Sequence, residues 1–236
     1  MLEVDNLSYR TGRRQILKEM TLQVDAGEIV GVLGENGAGK TTFMRALAGL
    51  IQPNRDAKIS IDHQSGDVLK ALVSFIPNLN WATKSETVSS VAAFYQDAYA
   101  DFDTARWEAL RKELKIDSQA KIGKLSKGQL ERVIFALTVS REASVILLDE
   151  PFGGVDVMTR RRVLQSLLRW IPEEAIVLMS THEINEIESV IDRAIVIQDG
   201  RIIVNRGIDD IRTTEQMSLE QYFVQVVTEN REGVEL

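Results

Sequence analysis

The sequence contains no cysteine and only two histidines, and aromatic residues make up 6% of its 236 positions. Without cysteine there are no disulfides and no thiolate metal sites, which fits a reducing compartment. With His63 and His182 alone, a histidine-rich metal site is disfavoured as well. No apolar run approaches the roughly 18 residues needed to span a bilayer. Glu3 and Asp5 interrupt the N-terminus, so a signal peptide is not expected. A basic excess is missing too. The net charge is −7, so no nucleic-acid partner is expected. These absences predict a soluble, cytosolic chain whose membrane role, if it has one, comes through a partner.

What is present is more specific. An apolar run, Ile29 to Leu33, leads into Gly34-Glu35-Asn36-Gly37-Ala38-Gly39-Lys40-Thr41-Thr42, and Phe43 to Ala48 reads as a helix. A strand, this loop and a helix start form a phosphate-binding loop in its expected context. Gly37 and Gly39 let backbone N–H groups close around a β-phosphate, Lys40 reaches the β/γ-phosphates, and Thr41 places a hydroxyl on Mg²⁺. The helix start adds partial positive charge.

Three further segments carry candidate chemistry. Val145 to Leu148 is a buried-strand pattern ending in Asp149 and Glu150. In phosphate-loop ATPases an acid at this place holds Mg²⁺, and the next one polarises the attacking water. His182 follows a second apolar run, Ile176 to Met179. It is suited to contact a γ-phosphate, although on spacing alone a structural role is favoured. Leu125-Ser126-Lys127-Gly128-Gln129 opens a helix striped by Leu130, Val133, Ile134 and Leu137. Ser126 and Gln129 have capping-box spacing, and the same helix start also suits phosphate, so both readings stand.

The expected organisation is α/β. Residues 1–82 and 138–207 form the core, about 83–137 a helical subdomain, and 208–236 a helical tail, all within one domain. Fully apolar runs argue for parallel strands, and Thr159 to Trp170 reads as the helix between two of them. Residues 2–7 and 16–24 read as strands around the loop. Asp103 reads as an N-cap, with Phe102 and Trp107 placed for a hydrophobic staple. In the tail, Ser218 with Gln221 has capping-box spacing. Leu219, Tyr222, Phe223, Val226 and Val227 form a stripe for docking on the core.

Taken in order, Tyr9, the phosphate loop, LSKGQ, VILLDE, GGVD (153–156) and His182 resemble the nucleotide-binding subunit of an ABC transporter, over essentially the whole chain. The resemblance implies a P-loop NTPase core with an antiparallel β subdomain and a helical signature subdomain. It implies that Tyr9 stacks on adenine, the alternative being a packed aromatic. Residues 34–42 become Walker A, Asp149 and Glu150 become Walker B and the catalytic glutamate, and residues 125–129 become the signature, with Ser126 and Gly128 reaching the γ-phosphate of ATP on another subunit. Asp156 becomes the D-loop acid and His182 the switch histidine. Two ATP molecules are then expected between two such domains, a homodimer being favoured, with Mg²⁺ and a separate membrane permease.

Three positions depart from the family pattern. Lys127 stands where a second glycine is usual, and GGVD replaces SGLD. Asn78, after Val73 to Pro77, stands where a glutamine normally reaches Mg²⁺ or water and signals to the membrane subunit. Phe94-Tyr95, Tyr99 to Asp103 and the closing Ser218 to Phe223 resemble exporter ATPases of the bacitracin-resistance and acetoin-operon type. The tail is too short for the regulatory domain found on many importers. A soluble, non-transport ABC ATPase, such as a cofactor-assembly ATPase, is the alternative.

Overall fold

The computed structural model describes residues 1–154 and 156–233, and the backbone alone at Glu186. Val155 of the GGVD segment and the tail residues 234–236 lie outside the described residues. The chain opens with an antiparallel hairpin of β1 (Leu2–Thr11) and β2 (Arg14–Val24). Then come β3 (Ile29–Leu33), the phosphate loop and α1 (Lys40–Leu47). β4 (Lys58–Ile61) and β5 (Gln64–Ser65) complete a four-stranded sheet in the order β2-β1-β4-β5. α2 (Leu69–Leu72) and β6 (Val73–Phe75) lead into helices α3 (Val88–Ala98), α4 (Thr104–Glu113) and α5 (Lys127–Val139).

The chain then alternates through β7 (Val145–Asp149), α6 (Val157–Trp170), β8 (Ile176–Ser180), α7 (Ile184–Ile187), β9 (Arg193–Gln198) and β10 (Arg201–Gly207). The short α8 (Ile208–Asp210) and a π turn at Ile211–Glu215 precede α9 (Leu219–Glu232). The second sheet runs β10-β9-β3-β8-β7-β6 and is parallel except for the edge strand β10.

The apolar runs are buried on both faces. Leu33, Ile146, Leu148, Val177, Met179, Ala194 and Val196 face the helices. Their neighbours Val30, Val32, Val145, Leu147, Ile176, Leu178, Ile195 and Ile197 face α1 and the first sheet. Successive residues on a strand point to opposite faces, so a strand covered on both sides must be apolar throughout. Each such valine, leucine, isoleucine or methionine contributes about 1.5–3 kcal/mol when fully buried. An exposed ion pair such as Lys70–Asp67 adds only ~0–1 kcal/mol, so burial decides the sheet.

The helix starts follow their capping residues. Asp103 accepts from the Arg106 amide at 2.9 Å, and Ser126–Gln129 and Ser218–Gln221 close reciprocal capping boxes. Arg141 is only 4% exposed. It donates to the Asp101 carboxylate and to the carbonyls of Val73 and Ala71, and lies 4.0 Å from the centre of the Tyr99 ring. It thereby clamps the helical segment to β6, the strand that leads to Asn78.

Candidate functional site

The site forms at the carboxyl ends of the parallel strands, where open α/β sheets bind ligands. β3 delivers the phosphate loop. A Cβ on Gly34 would lie 2.4 Å from the Ile197 carbonyl oxygen, so only glycine lets the loop leave the sheet beside β9. Gly39 caps α1 at φ 115°, with no side chain taking the free N–H groups of that helix start. These amides are therefore left for an anion. Lys40 is 7% exposed, and its Nζ donates to the carbonyls of Gly34 at 2.7 Å and Glu35 at 3.2 Å. Burial lowers its pKa, with Glu150 and Asp149 opposing. Glu35, Asn36, Gly37, Gly39, Lys40, Thr41 and Thr42 line a cleft of about 360 Å³ together with Glu150, Arg14 and Ile16. A Cβ at Gly37 would meet nothing within 4 Å.

β8 lies between β3 and β7 and joins the two halves of the site. Ser180 is paired in register with both Val32 and Asp149. Its hydroxyl donates to Asp149 Oδ1 at 2.6 Å and accepts from the Glu150 amide at 3.0 Å. Glu150 adopts a left-handed backbone, φ 51°, a conformation that costs free energy for a residue with a Cβ and clusters at functional sites. That turn brings its Oε2 to 2.7 Å from His182 Nδ1. An ionised carboxylate only accepts, so Nδ1 carries the hydrogen. His182 also lines a second cleft with Gly34, Glu35, Asn36 and Phe223 of α9. From the far side, Arg231 of α9 pairs with Glu35, and a third cleft there is lined by Ala38, Arg231 and Gln198 with Glu35 to Gly37.

The structure thus gathers residues 34–42, Asp149, Glu150 and His182 at one place. It does not bring the other anticipated residues there. Tyr9 sits in β1, half-buried against the core between the sheets and α1, and lines none of the three clefts around the loop; Arg14 and Ile16 border the loop instead. Ser126, Lys127, Gly128 and Gln129 also stand outside those clefts, at the start of α5. Asp156 caps α6, where the hydroxyl and amide of Thr159 hold its carboxyl below the usual range. Asn78 Oδ1 accepts from the Asn80 amide at 3.0 Å, so it faces its own turn. Its neighbours Ile76 and Pro77 border a small cavity beside Asp149.

The sequence reading missed two contributors. Ser180 had a visible signal, since it ends an apolar run as Asp149 does. Glu131 had none, because only the docking of α5 carries it to that small cavity with Asp149. Burial pushes its carboxyl up to about 7, Lys127 opposes, and Asp149 and Glu150 add to the rise. A carboxyl with a raised folded pKa favours the fold most below its ordinary value near 4.5, and that contribution is lost as pH rises through about 7. Glu131→Gln removes this loss. Relative to the parent, its Tm should rise by about 2–4 °C at pH 8, the shift expected from ~1 kcal/mol in a domain of this size, and stay level at pH 5. A difference independent of pH in thermal melts would contradict the burial of this carboxyl.

A glycine loop between a parallel strand and a helix, facing paired acids two strands away, defines a P-loop ATPase. The chain belongs to the ABC transporter family, whose pattern matches residues 17–153. It is 34% identical over 206 residues to the aliphatic sulfonates import ATP-binding protein SsuB of Delftia acidovorans, covering 83% of this chain and 79% of that protein. It is 31% identical to the SkfA peptide export ATP-binding protein SkfE of Bacillus subtilis strain 168, with 86% and 87% covered. A solved structure of the ATP binding subunit of an ABC transporter superposes with a TM-score of 0.84 at 26% identity, over 96% of this chain and 99% of that one. The protein is an ATP-binding, ATP-hydrolysing ABC transporter subunit. Among the described residues no helix is long and apolar enough to cross a membrane.

Proposed function

We propose that two copies of this subunit close on two ATP molecules and drive a separate membrane subunit in the export direction. The observation that carries the site reading is the chain Asp149–Ser180–Glu150–His182, set beside the buried Lys40. Lys40 Nζ exchanges its two loop carbonyls for the β- and γ-phosphate oxygens. The Thr41 hydroxyl and the Asp149 carboxylate are hard oxygen donors of the kind Mg²⁺ accepts alongside phosphates and water. When bound there, Mg²⁺ neutralises charge between the phosphates. Glu150, held by His182 Nδ1 and by its own amide on Ser180, accepts a hydrogen bond from the attacking water and polarises it. Ser126 and Gly128 serve the ATP of the second copy, which accords with their place outside the chain's own clefts. Asp156 is assigned to the D-loop, Asn78 to the position that meets Mg²⁺ or water, and Tyr9 to the adenine end.

The membrane subunit is assigned to an aromatic surface beside the Asn78 turn. Trp81 and Phe94 are 46% and 51% exposed, with ring centres 4.6 Å apart, and Tyr95 and Tyr99 stack behind them. Neighbouring exposed aromatics suit an amphipathic segment of a partner. The relatives named above divide between import and export. The export direction therefore rests on the exporter-like segments around Phe94 and Ser218, with SkfE as a peptide-exporting relative.

The test is purification of the tagged full chain from detergent-solubilised membranes. A multi-span protein should co-purify with it, and the Trp81→Ala/Phe94→Ala variant should lose most of that protein while keeping ATP affinity. Recovery of the parent only in complexes free of membrane proteins would reject the transporter assignment.

A further inference from the structure

Two departures of this chain from the family's motifs touch one another. Lys127 stands where the signature has glycine, and Gly153 stands where serine opens the loop before Asp156. The Lys127 stem lies along the Gly153–Gly154 turn. Its Cδ, Cγ and Cβ are 3.3, 3.4 and 3.6 Å from the point that a Cβ on Gly154 would occupy. Its Cε and Nζ are each 3.6 Å from the corresponding point on Gly153. The turn is in its own right tied to the catalytic carboxylate's residue, because the Gly153 amide donates to the Glu150 carbonyl at 3.0 Å.

We propose that Lys127 is a positioning residue that fastens the signature start to the turn following Glu150 within one subunit. The inference rests on the reading of Ser126 and Gly128 as groups that complete the second copy's ATP site. The contact then joins the hydrolytic end of one site to the phosphate-binding end of the other. Size explains the pairing. A serine Cβ at 153 would stand 3.3 Å from the Glu150 carbonyl oxygen and 3.6 Å from Lys127 Cε and Nζ, which leaves its hydroxyl little room on the Lys127 side. A glycine at 127 would uncover two consecutive glycines, which are free to rearrange once nothing packs on them. Together, the two changes refill the space from the other side.

The test is a double-mutant cycle on the full chain, with steady-state ATPase measured for the parent, Lys127→Gly, Gly153→Ser and the pair. Each single change should lower kcat at least threefold with KM for ATP within twofold of the parent, and the pair should return kcat to within twofold. Losses that multiply in the pair, or singles that match the parent, would overturn the contact, because groups that do not touch have additive energies. Should glycine at the first position of α5 prevent folding, the same cycle with Lys127→Ala decides it by the same criteria. The site reading fails separately: an active Glu150→Gln would reject it, whereas multiplicative losses beside an inactive Glu150→Gln reject only the Lys127 contact.

Discussion

Glu150→Gln should slow ATP turnover by about a hundredfold or more while leaving ATP affinity near that of the parent. General acid–base groups contribute typically ~10²–10⁴-fold, and this substitution removes the charge while retaining the shape. The amide oxygen can still accept from His182 Nδ1, as the carboxylate does at 2.7 Å. The backbone amide keeps its bond to Ser180, so the strained turn at φ 51° persists. Only the ability to polarise water is lost. The measurement is steady-state phosphate release set beside equilibrium ATP binding. Turnover within threefold of the parent would show that some other group polarises the water.

Lys40→Ala should show the reverse pattern, with ATP affinity reduced by a factor on the order of 10²–10³. Hydrogen bonds to charged groups are worth about 1.5–3 kcal/mol each, and Lys40 offers its ammonium to two phosphates. A separate effect falls on the nucleotide-free chain. The ammonium also holds the Gly34 and Glu35 carbonyls, so its removal leaves the loop without the donor that gathers it. Titration calorimetry with ATP reads the affinity, and thermal melts without nucleotide separate the loosened loop from the missing charge. Unaltered affinity would contradict the placement of the phosphates at this loop.

Local signals made the strand–loop–helix at residues 29–47 legible, along with the acids ending β7 and the helix starts at Asp103, Ser126 and Ser218. Each depends on neighbours within a few positions. What depended on distant partners was not legible. The alternation read over residues 2–7 continues as a strand to Thr11, because Asn6 and Glu19 at positive φ let the hairpin absorb register shifts that break the pattern. The fold-back of Lys127 onto Gly153–Gly154 and the burial of Glu131 follow from how α5 docks. The outward place of Ser126 could be expected from the resemblance, and the Asn80 amide as the partner of Asn78 could not.

The position of β3 sets when this protein can begin to fold as it is made. Both of its neighbours come late, with β8 starting at Ile176 and β9 at Arg193. At a synthesis rate of ~5–20 residues per second, the central strand waits on the order of ten seconds for its first hydrogen-bonding partner. The nucleotide loop waits longer, since the arginine that braces Glu35 follows it by 196 positions. During that interval an apolar strand with two open edges is exposed on the ribosome, and non-local pairing of this kind is intrinsically slow. Nascent chains truncated before β8 are therefore the species most exposed to aggregation and to capture by chaperones.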